Sequence, residues 1–140
     1  MYKMAQQFKL EPPKKVLVVD DELIIRNIVS KVLNRYLGCE VYTASSSREA
    51  ISLLKSIGFD LLMVDLAMPG ISGVELIRII RQSKLQTQTV VITGNGTDEE
   101  LDEAKRLGIN QIIYKPFKIA TFLEVIAGIL MEREQVTGYA

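Results

Sequence analysis

Three acidic residues crowd the end of a short apolar segment in the stretch KVLVVDDELI of this 140-residue chain. Four apolar residues at 16–19, with the β-branched bias of a buried strand, lead directly into Asp20, Asp21 and Glu22. Like charges this close repel each other and raise one another's pKa, so the arrangement is unfavourable without a counter-charge. We therefore expect a positive charge at this point of the fold.

Other polar residues follow apolar runs in the same way. Asp65 ends the run in LLMVDLAMPG, Thr93 ends the run in VVITGNG, and Lys115 follows the run in IIYKPF. Each has an ordinary explanation when taken alone, and Asp21 alone would be read as a helix N-cap. Taken together, they supply carboxylates for a hard divalent cation, a nucleophilic carboxylate, a hydroxyl donor and a fixed ammonium group.

This set of groups indicates a magnesium site with phosphoryl-transfer chemistry. Oxygen-only ligation with space for water suits Mg²⁺, which also binds phosphate oxygens. Phosphoryl transfer needs positioning and charge neutralisation more than a strong base, and an aspartate can itself accept the group as an acyl phosphate. The chain has no histidine, which excludes histidine-based triads and imidazole metal ligation. Met63, Met68 and Cys39 are predicted to be packing residues.

The composition fits one compact domain with a local site. The chain is 48% hydrophobic, and its 17 basic residues balance its 17 acidic residues, so no overall field favours nucleic acid or an anionic membrane. No segment has the length and apolar character of a transmembrane helix or a signal peptide, and a single cysteine cannot form an internal disulfide. We expect a cytoplasmic protein that binds neither nucleic acid nor membrane.

Apolar runs and helical stripes alternate five times along the chain. Continuous runs at 16–19, 61–64, 90–92 and 112–114 predict parallel strands covered on both faces, and the alternating run at 40–44 predicts an edge strand. The first helical stripe comprises Ile25, Ile28, Val29, Val32, Leu33 and Tyr36, and it ends before Gly38. This alternation predicts a parallel α/β sheet, in which ligands bind at the carboxyl ends of the strands.

Capping signals mark the starts of three of the predicted helices. The S/T-x-x-E capping box occurs as Ser46 with Glu49, Ser72 with Glu75, and Thr97 with Glu100. The run TDEELDEAKRL that follows Thr97 has a thin apolar stripe of Leu101, Ala104 and Leu107, and it predicts a solvated helix whose exposed face carries Asp98, Glu99, Asp102 and Glu103.

The segments VVDDE, DLAMPGISG, VVITG and KPF, in this order, resemble the receiver domain of two-component response regulators over about residues 14–132. The resemblance implies a flavodoxin-like doubly wound (βα)₅ fold with strand order 2-1-3-4-5. It implies that Asp65 is the phosphoacceptor, that Thr93 donates its hydroxyl to the phosphoryl group, and that Lys115 pairs with a phosphoryl oxygen.

The resemblance also implies the metal ligands. Asp21, Asp65 and the main-chain carbonyl of Ala67 would bind Mg²⁺ directly, and Asp20 would act largely through a water molecule. The Lys115–Pro116 peptide bond would be cis.

Two positions depart from the family pattern. Ile112 occupies the place where the family commonly has a tyrosine or phenylalanine whose rotamer follows phosphorylation, so aromatic switching in its usual form is not expected. Tyr114 lies on the same side of the strand by the period of two and is the candidate substitute. Gly94 stands where alanine is usual and should still supply its backbone N–H to the phosphoryl group.

The function implied by the resemblance is signalling, without separate substrate turnover. The domain would take its phosphoryl group from a phosphohistidine of a sensor histidine kinase or a histidine phosphotransfer protein and would then bind a downstream protein target differently. We expect a flexible extension at 1–14, the receiver at 15–134 and a tail at 135–140. No output domain follows Glu134, which favours a stand-alone receiver; the alternative is an excised part of a longer regulator.

Two rivals of other classes share some of these features. A flavodoxin-type electron carrier must cradle a flavin phosphate after its first strand, and the DDE stretch would repel that anion. A phosphatase with an aspartyl nucleophile after the first strand needs a D-x-D-x-T pattern, which the stretch from Asp20 to Leu23 does not fit.

Overall fold

The computed structural model describes residues 12–139, with side chains through residue 131. Five strands form one parallel sheet in the order β2-β1-β3-β4-β5. They are β1 (Lys15–Val19), β2 (Glu40–Ala44), β3 (Leu61–Val64), β4 (Gln88–Thr93) and β5 (Ile112–Tyr114). The predicted doubly wound fold and strand order are confirmed.

Helices cover both faces of the sheet. They are α1 (Leu23–Leu37), α2 (Ser47–Ser56), α3 (Gly73–Gln82), α4 (Asp98–Arg106) and α5 (Ile119–Tyr139). One core cluster joins the sheet to α2, α3 and α4, and a second joins it to α1 and α5. Adjacent strand residues alternate between the clusters, as Met63 and Val64 do, which explains why the strand sequences are continuously apolar.

Small details of the core also follow the sequence pattern. Met63, Met68 and Cys39 are buried packing residues, as predicted. Helix α1 ends at Leu37, and Gly38 follows in the left-handed conformation with φ of 69°, a backbone geometry that glycine adopts without strain.

The apolar stripe predicted for α1 is only partly buried, and Ile28 lies outside its buried part. Its side chain is 40% exposed, and Leu23 and Ile24 in the first turn are more exposed still. The buried arc of α1 consists of Val29, Val32, Leu33 and Leu37. Three large apolar side chains therefore lie at the surface where α1 begins.

Of the three predicted capping boxes, one forms completely. Thr97 and Glu100 satisfy each other's backbone N–H groups. Ser46 and Ser72 accept the expected N–H bonds, but Glu49 turns to the backbone N–H and hydroxyl of Ser45 instead of the N-cap. Glu75 likewise pairs with Arg78, because that side chain lies one turn along the same helix face.

The structure describes only part of the two segments predicted to flank the domain. Residues 1–11 of the predicted N-terminal extension lie outside the described residues. Helix α5 is helical to Tyr139, so most of the predicted tail continues that helix. In the part of the chain that the structure covers, no helix is long and apolar enough to cross a membrane.

Candidate functional site

The acidic turn, defined as residues 20–22, joins β1 to α1 at the carboxyl end of the sheet. Asp20 is buried, with 2% of its surface exposed, and its backbone N–H donates to the Ala44 carbonyl. Its Oδ1 accepts the Glu22 N–H at 2.8 Å. The N-cap of α1 is Glu22, which makes no side-chain capping bond, so Asp21 does not serve as the N-cap.

Asp65 lies beside the acidic turn, directly after β3. It is 4% exposed, and its backbone N–H donates to the Val19 carbonyl at 3.0 Å, because β1 and β3 are neighbours. Its Oδ1 accepts the N–H of Ala67 at 3.1 Å, and its Oδ2 accepts from Lys115 Nζ at 3.2 Å. The carboxylate is thus buried and held at both oxygens.

Lys115 supplies the positive charge that the acidic turn requires. Its Nζ lies 2.7 Å from Asp20 Oδ2 and 3.2 Å from both Glu22 Oε1 and Asp65 Oδ2. Burial opposes its charge, but the hydrogen bond to Asp20 and the charges of Asp20 and Asp65 outweigh burial and raise the pKa of the ammonium. Burial is also the main cause that raises the pKa of the Asp20 carboxyl, against the opposing effect of Lys115.

The carboxylates form a cluster with the chemistry of a hard-cation site. One oxygen from each of Asp20, Asp21, Glu22 and Asp65 lies within 4.8 Å of the others. Two of these residues are buried and two are exposed, so the cluster opens to solvent on one side. Mg²⁺ takes carboxylate oxygens and retains several waters, so this donor set fits that ion.

Thr93 and the loop after it complete the rim at the end of β4. Thr93 is buried, its carbonyl accepts the backbone N–H of Lys115 at 3.0 Å, and its Oγ1 accepts the backbone N–H of Gly96 at 3.1 Å. A Cβ on Gly94 would meet the Cβ of Lys115 at 3.3 Å, which places this glycine against the lysine. The hydroxyl of Thr93 therefore ties the strand end to loop 94–97.

The two candidate switch residues lie on β5 with different surroundings. Ile112 packs against the core cluster that includes α4, whereas Tyr114 is 57% exposed. The Lys115–Pro116 bond that follows is cis, as the sequence resemblance implied.

Three residues join the site that sequence reasoning did not assign to it: Glu22, through its contact with Lys115; Arg26, whose Nη1 donates to the Asp20 carbonyl at 2.7 Å; and Gly73. A Cβ on Gly73 would lie 2.2 Å from the Asp65 carbonyl oxygen, so only glycine fits there. The last glycine of DLAMPGISG was the available sequence signal for this contact.

Comparison with known proteins gives a consistent result. A family model described as the response regulator receiver domain matches residues 16–127. The chemotaxis protein CheY-3 of Vibrio cholerae is 33% identical over 112 residues, which cover 79% of this chain and 86% of that protein. The structure of V. cholerae CheY4 matches with a TM-score of 0.76 and 34% identity, covering 84% of this chain and 98% of that one.

Some relatives are much longer than this chain. The transcriptional regulatory protein TrcR of Mycobacterium tuberculosis is 32% identical over 120 residues, which are 84% of this chain but only 46% of TrcR. The matched region therefore corresponds to less than half the length of that relative.

Proposed function

The chain belongs to the response regulator receiver domain family, a family of two-component signalling proteins, and from that premise we propose that Asp65 accepts a phosphoryl group. The donor is a phosphohistidine of a sensor histidine kinase or a histidine phosphotransfer protein in the cytoplasm. The observation that supports this proposal most is the buried Asp65 carboxylate, held beside Asp20 by one shared lysine.

In the proposed reaction, an oxygen of Asp65 attacks the phosphorus. The new O–P bond forms while the N–P bond to the donor histidine breaks, and the electron pair of that bond stays on the leaving imidazole. Lys115 exchanges a carboxylate contact for a phosphoryl oxygen, and its raised pKa keeps it charged at neutral pH. The Thr93 hydroxyl and the Gly94 N–H donate to the other phosphoryl oxygens.

Mg²⁺ is the proposed cofactor of this reaction. Asp21, Asp65 and the carbonyl of Ala67 would hold the ion directly, with Asp20 acting through water. When bound, the ion supplies positive charge that offsets the charge of the phosphoryl oxygens. The four-carboxylate cluster supports this assignment because its oxygens lie close together and face solvent on one side.

The proposed output is a change in binding to a downstream protein. The exposed Leu23, Ile24 and Ile28 border the acidic turn and support a protein, rather than a small molecule, as the natural phosphoryl donor. The alternative is that this chain is the receiver part of a longer regulator. The length of the native reading frame distinguishes the two.

Labelling with phosphoramidate, which carries the same P–N bond as phosphohistidine, tests the acceptor. We expect Asp65→Asn to abolish Mg²⁺-dependent labelling, because an amide is a far poorer nucleophile than a carboxylate. Asp102→Asn, an exposed position on α4, is the matched control and should be labelled like the wild type. Full labelling of Asp65→Asn, with the phosphoryl group mapped to another residue, would overturn the assignment.

A further inference from the structure

Helix α1 begins differently from the helices after β2, β3 and β4. Helices α2, α3 and α4 each have a serine or threonine cap and an acidic residue in the first turn. Helix α1 has no side-chain cap and no acidic residue there, and instead places Arg26 in its first turn. A cation at a helix N-terminus is opposed by the helix dipole, so Arg26 lies at an unfavourable position unless another contact compensates it.

The compensating contact is to the acidic turn. Arg26 Nη1 donates to the main-chain carbonyl of Asp20 at 2.7 Å, a short charge-assisted hydrogen bond. The guanidinium does not take a carboxylate oxygen of Asp20, since these oxygens bond to Glu22 N–H and Lys115 Nζ. Arg26 thus holds the peptide backbone of the turn and leaves the ligand oxygens of the cluster to face the site.

Arg26 also lies near the first turn of α2. Hydrogen bonds from Ser45 are the main cause that lowers the pKa of the Glu49 carboxyl, and the charge of Arg26 acts in the same direction. The guanidinium is therefore attracted by two acidic groups, the turn after β1, which it contacts, and Glu49 at the start of the helix after β2.

We propose that Arg26 is a positioning residue that holds the Asp20 peptide so that the carboxylates of the acidic turn are pre-arranged for a divalent cation. The inference rests on the proposed function. Lys115 neutralises the turn from the side of the site and would contact the phosphoryl group, whereas Arg26 bonds to the backbone carbonyl of Asp20 and not to its carboxylate. Groups that orient metal ligands are worth about 10–100-fold in metal affinity.

Calorimetric titration of the full chain with Mg²⁺ tests this proposal. Arg26→Gln is expected to weaken Mg²⁺ binding by about 10-fold or more. Arg26→Lys, which keeps the charge and one donor, should recover part of the loss. Arg48→Gln, an exposed arginine on α2, is the control and should bind like the wild type.

A second measurement separates positioning from general stability. Without metal, the amide of Glu22, which donates to Asp20 Oδ1, should exchange faster in Arg26→Gln while the amides of β3 keep their wild-type protection. Arg26→Gln that melts at a lower temperature but binds Mg²⁺ with the wild-type Kd would overturn the inference and leave the proposed function intact. Absence of Mg²⁺ binding in the wild type would instead overturn the proposed metal site itself.

Discussion

The rim of the sheet has two halves that are held in different ways. The fixed half consists of the acidic turn, Asp65 and α1. Backbone hydrogen bonds and Lys115 hold its carboxylates in place. Its helix, α1, buries Val29, Val32, Leu33 and Leu37. In the loose half, made of loop 94–97 and α4, the helix buries only Ala104. Helices gain most of their stability from such burial, so α4 has far less holding it in place.

Polar contacts between α4 and α3 supply part of the stabilisation that α4 does not gain from burial. Glu103 was predicted to be a solvated residue, but it bonds to Arg78 at 3.0 Å and to Arg106 at 2.8 Å. Arg81 Nε donates to the carbonyl of Leu107 at 2.8 Å, just past the end of α4. Surface contacts of this kind contribute little to stability, so we expect the loose half to open at a lower cost in free energy than the fixed half.

The largest expected effect concerns the backbone of the fixed half. Gly73→Ala would force a methyl group against the Asp65 carbonyl and the Leu66 Cα, so we expect a loss of about 2–4 kcal/mol in the free energy of unfolding. Denaturant titration measures this loss. Gly128→Ala in α5, where no atom outside the adjacent residues and the helix's own backbone lies within 4 Å of the added Cβ, should instead be neutral or stabilise by up to about 1 kcal/mol. Equal stability of the two variants would contradict the close contact at Gly73.

The next effect concerns the charge of the fixed half. Mg²⁺ at ten times its Kd should stabilise the wild type by about 1.4 kcal/mol, because a ligand that binds only the native state shifts unfolding by mass action. Asp21→Ala should be more stable than the wild type without metal, since one of the crowded carboxylates is gone, and should lose the response to Mg²⁺. Thermal unfolding with and without Mg²⁺ measures the stability without metal and the response to the ion. Asp102→Ala is the control. A wild-type melting temperature that ignores Mg²⁺ would show that the metal site is wrong.

The smallest expected effect concerns the loose half. Glu103→Gln removes the carboxylate that Arg78 and Arg106 share, so amides at 98–107 should exchange faster, while Mg²⁺ affinity stays unchanged. High salt should reduce the difference in exchange rate between this variant and the wild type, because salt screens exposed ion pairs. Glu99→Gln is the control, since the described residues give Glu99 no ion pair. Identical exchange in the two variants would mean that these ion pairs do not restrain α4.

Much of the sheet could be predicted from the sequence because the strands are apolar on both faces. Strands β2, β3 and β5 have the predicted bounds. Strand β4 extends further, from Gln88 to Thr93, since backbone pairing continues through polar residues that carry no apolar signal, with β3 at Gln88 and with β5 at Thr93. The covered side of α1 was less predictable, because the exposure of Ile28 depends on which neighbours reach the start of the helix.

The gathering of Asp20, Asp65 and Lys115 was also predictable, because parallel strands bring their carboxyl ends to one rim. The contacts of Glu22, Arg26 and Gly73 were not, since they depend on how a side chain or a loop folds back after the strand ends. Sequence patterns therefore predicted which side chains meet at the rim, whereas the contacts that support them required three-dimensional placement.

Hydrogen exchange with and without a beryllofluoride phosphoryl mimic, in the presence of Mg²⁺, tests the division of the rim most directly. A phosphoryl group that draws in Thr93 must also move loop 94–97, because Thr93 Oγ1 accepts the N–H of Gly96. We predict the largest change in protection at 94–107 and around 112–114, little change in α1, and no change in Asp65→Asn. A change confined to α1 and α2 would contradict this account and would place the responding surface on the other side of the site.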